Sequence, residues 1–436
     1  MRVFKYAILG LLLSLGSSPG QTTAGDLSVD IVAERYVRLI LAIGEHEPGY
    51  VDAYYGPEEW QEAVKADVPS LESLAAEANT LTAALAKHIE QTSPSLDRQR
   101  LRFLVKQLTA ADARISMLQG NKFSFDEETA LLFDAVVPPV HQADLDASLQ
   151  ALDDLIGGEG SLQERVIAYR KQFTIPKAKL ASVFAAAIEG CKTQTNEFMA
   201  LPKGERFTTE FVTDKPWSGY NWYQGDAVSL IQVNTDLPSL IDAAVNLGCH
   251  EGYPGHHVFN AMLENNLVDA KGWIEFSVYP LYSPQSFLAE GTASFARFMA
   301  FPGGKQTEFE TQVLYPLAGI NPGPDGKNAK QYADTLRALA GLRYARIEGA
   351  RRYLDGKISR NELIEWLSRY QLISRERAAQ GVRFIETYRG YVINYTLGSD
   401  LAAAYVARKG GTDEAERWRA YITLLSTPLT ASMLGD

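Results

Sequence analysis

Histidine and cysteine are scarce in this chain of 436 residues, which has six of the first and two of the second. Cys191 and Cys249 cannot build a disulfide framework; they could pair in an oxidising compartment or stand as two buried free thiols, and both readings stay open. Positive charge is also short. Lys and Arg number 42 against 53 Asp and Glu, a net charge of −11, so the basic field of a nucleic-acid partner is absent and the acidity serves solubility. Beyond the first two dozen residues no long apolar run occurs, which excludes a transmembrane helix and stable membrane insertion. There is no internal repeat and no low-complexity tract. No G-x-S-x-G is present and neither cysteine has an evident histidine partner, so serine or cysteine nucleophile chemistry has no motif to rest on.

What is present begins at the N-terminus. Arg2 and Lys5 precede an apolar stretch from Tyr6 to Leu15, followed by small and polar residues through Thr22-Thr23-Ala24. Positive, apolar, then small residues form the signal-peptide pattern, too short to anchor in a bilayer. No cysteine lies near the candidate cleavage site, so no lipid anchor is expected there. Residues 1–24 are expected to be removed, leaving a periplasmic or secreted protein. With 46% hydrophobic and 22% charged residues, the remainder can bury a sizeable core.

Most of the chain reads as helix. Apolar spacing predicts helices over Ile31–Ile43, Ser70–Ile89, Asp144–Ile156 and Lys177–Met199, and Leu101, Leu104, Val105, Leu108, Ala111 and Ile115 trace one face of another. Further helices are predicted over Tyr332–Leu354, Arg360–Arg369, Arg375–Tyr388 and Asp400–Lys409. Between Glu205 and Asp236 the pattern changes. Phe207, Thr209, Phe211 and Thr213 alternate, and Val228–Asn234 is β-rich, with an aromatic loop from Trp217 to Tyr223 between them. The division expected is an N-terminal helical region over 25–200 and a metal-site region over 201–436, forming one continuous catalytic unit with a cleft.

Three of the six histidines fall in His250-Glu251-Gly252-Tyr253-Pro254-Gly255-His256-His257. A pair of histidines at i and i+4 on a helix can share one zinc ion, with the glutamate after the first acting as general base on water. Here the second histidine is at i+6, about 120° around an ideal helix and about 9 Å along it. His257 at i+7 returns to the same face but lies about 10.5 Å away, too far for a tetrahedral site. Pro254 resolves the conflict. It cannot donate to the carbonyl of His250 and would clash with it, and Gly252 and Gly255 permit unusual backbone angles. The helix must therefore be bulged or broken before His256, which makes His250 and His256 the expected ligands and Glu251 the base. His257 is expected to assist in the transition state, with the option that it replaces His256 as ligand. The third ligand expected is Glu290, forty residues after His250, in Phe287-Leu288-Ala289-Glu290-Gly291-Thr292-Ala293. A carboxylate opening a helical stretch also has a simple explanation in the helix dipole.

The run H-E-x-x-P-G-H-H followed by an E-G segment resembles a bacterial family of unknown function, numbered eight-eight-five, whose relatives are gluzincin metallopeptidases of the thermostable-carboxypeptidase and oligopeptidase type. Tyr50–Pro57 and Val233–Pro238 resemble further stretches of that family. The resemblance implies a mainly α, large helical gluzincin-like fold with a small antiparallel β-sheet beside the zinc-site helix, and one zinc ion. It matches Glu290 to the glutamate of an E-G-W-A-L-Y-x-E segment, with Thr292, Phe295 and Arg297 departing from it. It matches Tyr395 to the tyrosine of a G-Q-A-L-S-Y-K-x-G segment, with Thr396 in place of the lysine, and Arg343 to an arginine of an R-A-V-R-L segment.

The function expected is thus an exported zinc peptidase of carboxypeptidase, dipeptidase or oligopeptidase type. Tyr395 or His257 would hydrogen-bond the oxyanion. The strand ending at Asn234 would bind an extended peptide by strand addition, and Arg343 would receive a substrate carboxylate. The alternatives are a metal-dependent amidase of a small non-peptide substrate and a non-catalytic binding protein. Retention of Glu251 argues against the last, because binding a metal needs no base.

Overall fold

The computed structural model describes residues 27–215, 217–236 and 238–435; the leader expected over 1–24 lies outside them. The protein is mainly helical. Its long N-terminal helices, Val29–His46, Leu71–Gln91 and Leu96–Leu118, start where Ser28, Ser70 and Ser95 accept hydrogen bonds from backbone N–H groups three residues on. Such caps satisfy donors that the first helical turn leaves free. Ser124 with Glu127, Ser161 with Glu164 and Ser359 with Glu362 form full capping boxes for three shorter helices. Leu101, Leu104, Leu108, Ala111 and Ile115 are buried together, as their spacing predicts. The segment Tyr332–Leu354 is not one helix. It divides into Lys327–Ala340 and Ala345–Leu354.

Five strands are present among the described residues. β1 (Val51–Tyr54) pairs antiparallel with β5 (Val278–Pro280) across more than two hundred residues of chain. β2 (Arg206–Val212), β3 (Gly219–Tyr223) and β4 (Val228–Asn234) form a second sheet in the order β2-β4-β3. β3 and β4 are antiparallel, as expected, but β2 runs parallel to β4, so this sheet is mixed. β4 carries the clean alternation, with Ser229, Ile231 and Val233 buried, and a strand so patterned takes the central place. The stretch read as an aromatic loop contains β3.

Two large apolar clusters form the core, and each draws on both halves of the chain. One gathers Phe184, Val245, Cys249, Phe259, Leu288 and Leu424 around the histidine segment. The other packs the N-terminal helices against Leu363, Val382 and Ile393. The helices Pro284–Ala300 and Ile393–Gly410 meet backbone to backbone. A Cβ on Gly291 would lie 2.5 Å from the carbonyl carbon of Gly398, so only glycine permits the approach that sets Glu290 beside Tyr395.

Candidate metal centre

The helix that begins at Ile241 does not run through the histidines. It passes into a wider π-type turn over Gly248–Gly252, breaks at Tyr253–Gly255 with a cis Tyr253–Pro254 peptide, and restarts as His256–Leu263. His250 therefore lies on the turn and His256 opens the next helix. The break is held from several sides. The Tyr421 hydroxyl lies 3.2 Å from the Pro254 carbonyl and 3.0 Å from that of Thr292, which ties it to the Glu290 helix. A disulfide joins Cys249, the residue before His250, to Cys191 on the helix Leu180–Phe198, so the two cysteines are paired and not free.

A cross-link closing 58 residues of chain is expected to stabilise the fold by about 2–4 kcal/mol. Cys191→Ala with Cys249→Ala should lose that amount in urea unfolding. An unchanged midpoint and slope would mean the tether contributes nothing.

His250, His256 and Glu290 each present a ligand atom within 4.8 Å of the others. The two Nε2 atoms are 3.1 Å apart, and Glu290 Oε2 is 3.2 Å from His250 Nε2 and 3.6 Å from His256 Nε2. Zinc–ligand bonds of about 2.0–2.1 Å at tetrahedral angles place ligand atoms roughly 3.3 Å apart, so the spacing fits one small divalent ion. Glu290 adds a second indication. It is buried, and its Oε2 has no hydrogen bond of acceptable geometry despite the two imidazoles facing it. A buried carboxylate oxygen left without a donor suits a cation. Burial pushes the Glu290 carboxyl up, but the His256 and His250 imidazoles outweigh it and hold the group well below the usual carboxylate range. Helix Pro284–Ala300 begins at the Ser283 cap, so Glu290 sits in its second turn, where the helix-dipole explanation no longer applies.

Glu251 follows His250 and is buried against β3. A Cβ on Gly219 would lie 2.9 Å from its Oε1, and Asn221 Nδ2 donates to its backbone carbonyl at 2.7 Å. No donor among the described residues reaches its carboxylate. Burial, opposed by His250 and aided by Glu290 and Asp52, pushes the group up to about 7. Tyr395 stacks on His250 with ring centroids 6.4 Å apart. Burial, then the Glu290 charge, raise its hydroxyl well above the ordinary value, so it stays a proton donor near neutral pH.

Three residues expected at the site are elsewhere or already engaged. His257 is 1% exposed, with Nδ1 2.9 Å from Ser229 Oγ and Nε2 3.0 Å from Glu205 Oε2. Both ring nitrogens are taken, so it neither ligates nor meets an oxyanion; the break turns it to the sheet side. Asn234 donates to the carbonyls of Lys215 and Trp217 and accepts from the Asp236 N–H, which fixes a loop. Its strand has neighbours on both sides and cannot accept a further strand. Arg343 is half exposed and paired with Asp400 at 2.8 Å.

Two residues at the site went unread in the sequence. Tyr391 donates to Glu290 Oε1 at 2.8 Å, which turns Oε2 toward the histidines. Its position four residues before Tyr395 was the available signal. Asp52 accepts from the Tyr220 hydroxyl; the Tyr50–Pro57 stretch around it resembles the family, but no spacing marks its carboxylate as a site group.

No family model matches the chain, and no curated protein does. Among solved structures it is similar to a candidate lipoprotein from Colwellia psychrerythraea, at 15% identity over 95% of this chain and 76% of that one, with a TM-score of 0.48. It is also similar to a candidate lipoprotein of unknown function from Shewanella oneidensis, at 11% identity over 86% and 75%, TM-score 0.42. A third likeness is to an M32 carboxypeptidase from Deinococcus radiodurans R1, at 12% identity over 91% and 88%, TM-score 0.39. At these scores the likenesses carry no argument about chemistry. No described helix is long and apolar enough to cross a membrane.

Proposed function

We propose that this chain is an exported metal-dependent peptidase, with His250, His256 and Glu290 holding one zinc ion. The observation that carries the reading is the convergence of those three donors around an orphaned, buried carboxylate oxygen. A zinc ion bound there would supply Lewis acidity to a water and to a peptide carbonyl. The protein's own groups then have distinct tasks. Glu251, whose carboxylate meets no donor among the described residues, takes a proton from the attacking water. Tyr395, whose hydroxyl has no partner among the described residues, donates to the oxygen that gains charge. Tyr391 keeps Glu290 oriented. Export is supported by the leader pattern of residues 1–24 and by the buried disulfide, which needs an oxidising compartment.

The test is metal analysis of the wild type and of His256→Ala, together with digestion of a mixed peptide library. The wild type should hold one zinc ion and cleave peptides in a chelator-sensitive way, and His256→Ala should lose both. Full metal occupancy in His256→Ala would remove it from the ligand set. A metal-loaded wild type that cleaves no peptide would turn the reading toward an amidase of small non-peptide substrates.

A further inference from the structure

On the sheet side of the histidine segment lies a buried polar network that the proposed chemistry does not use. Glu205, just ahead of β2, is its hub. Its Oε2 accepts from the Tyr253 hydroxyl at 2.6 Å and from His257 Nε2 at 3.0 Å, and its Oε1 accepts from Lys192 Nζ at 3.0 Å. Lys192 also donates to the Tyr253 hydroxyl at 3.1 Å. Burial raises the Glu205 carboxyl, but His257, Tyr253 and Lys192 outweigh it and bring the group down to about 2. It is therefore an ionised acceptor with every near donor aimed at it. On the far side of the imidazole, His257 Nδ1 meets Ser229 Oγ at 2.9 Å, on the central strand β4.

Serine, histidine and glutamate in line have the order of a nucleophilic triad. Ser229 and His257 are only 2% and 1% exposed, so no substrate reaches that hydroxyl. The network must act on the protein itself. Buried ionic groups add little to stability over apolar packing, and their best-attested use is to fix one arrangement among several.

What is fixed here follows from position in the chain. Tyr253 and His257 flank Pro254, Gly255 and His256, and both donate to the same carboxylate oxygen. One atom thus staples the two sides of the break, with His256 between them. The other half of the centre is held from the same helix, Leu180–Phe198. Cys191 carries the disulfide to Cys249, the residue before His250, and the next residue, Lys192, holds Glu205. We propose that Glu205 is a positioning residue of the metal centre, setting the reach from His250 to His256 through Tyr253 and His257. This rests on the metal reading of the triad and not on peptidase activity.

The test titrates chelator-treated protein with zinc against a chromophoric chelator, and with cobalt(II), whose visible spectrum reports coordination geometry. Glu205→Ala should weaken zinc by roughly 10–100-fold, the usual worth of a group that orients ligands, and should change the cobalt spectrum. Tyr253→Phe removes one of the two bonds to Oε2 and should move both readouts the same way by less. Leu85→Ala, a cavity in the other apolar cluster, is the control. It should lower the urea midpoint and leave zinc affinity and the cobalt spectrum as in the wild type. A Glu205→Ala protein that loses stability alone, with both metal readouts unchanged, would overturn the proposal. Should that chain not fold, the same outcome in Tyr253→Phe would overturn it. A wild type that takes up neither ion would instead sink the metal reading, and this inference with it.

Discussion

Glu251→Gln is expected to abolish most turnover and at the same time to make the metal-free protein more stable at pH 8. The loss follows from removing the proton acceptor, about 10²–10⁴-fold for a positioned general base. The gain follows from burial. In the folded protein burial, followed by the neighbouring carboxylates Glu290 and Asp52 and opposed by His250, lifts Glu251 from the ordinary 4.5 to about 7. A carboxyl raised on folding binds its proton more tightly in the native state than in the unfolded one. Its contribution to stability is therefore fully present below about 4.5 and is lost as pH rises through about 7. By pH 8 the ionised carboxylate costs about 3 kcal/mol relative to a neutral side chain of the same shape. Urea unfolding with chelator present should show the Gln variant ahead by that margin at pH 8 and level with the wild type near pH 4. Parallel stability profiles would show that the carboxylate is better solvated than its burial implies. The combination of a stability gain with a loss of rate separates a strained functional group from a merely structural one.

Why some of this was legible in the sequence and some not follows from the range of the interactions. The break before His256 is local: Pro254 and its flanking glycines act within one turn, and residue identity alone requires it. The same local logic misplaced His257. Its i+7 spacing puts it on the face of His250 only if the helix is straight, and the break that brings His256 in rotates His257 toward Glu205 and Ser229. Glu290 is visible as a carboxylate in an apolar stretch, but the apolar residues that follow it place the helix start there. The true start, Ser283 as cap with Pro284 at the first position, was a readable signal. Arg343 lies in the turn before the helix Ala345–Leu354, and only its spatial neighbours decide that it meets Asp400. Asp52 reaches the site through β1–β5 pairing across more than two hundred residues, which no window of sequence contains. The parallel placement of β2 is of the same kind. Alternation identifies the strands Phe207–Thr213 and Val228–Asn234, but the order β2-β4-β3 depends on what each face packs against.

Gly255→Ala should have the largest structural effect of any single methyl group in the protein's metal segment. A Cβ there would lie 1.9 Å from the carbonyl oxygen of His250 and 2.4 Å from that of Cys249. These are backbone atoms in a turn clipped by the Cys191–Cys249 disulfide and buried in the core, so they have little room to yield. The overlap must be relieved by moving the His250 peptide or by shifting the start of the His256 helix, and each displaces one histidine relative to the other. The expected outcome is a loss of about 4 kcal/mol or more in the metal-free protein, with zinc content falling well below one ion per chain. Gly381→Ala is the control, the same chemical change inside the helix Arg375–Tyr388. Its Cβ would meet Leu367 Cδ1 at an ordinary 3.5 Å, and it should stabilise the protein by about 0.5–1 kcal/mol through helix propensity. Urea unfolding of both variants, with metal analysis of each, checks the pair. A Gly255→Ala protein that folds with wild-type stability and binds one zinc ion would mean that the two histidines can be brought together without the close backbone approach at Gly255, and the geometry assigned to the centre would have to be abandoned.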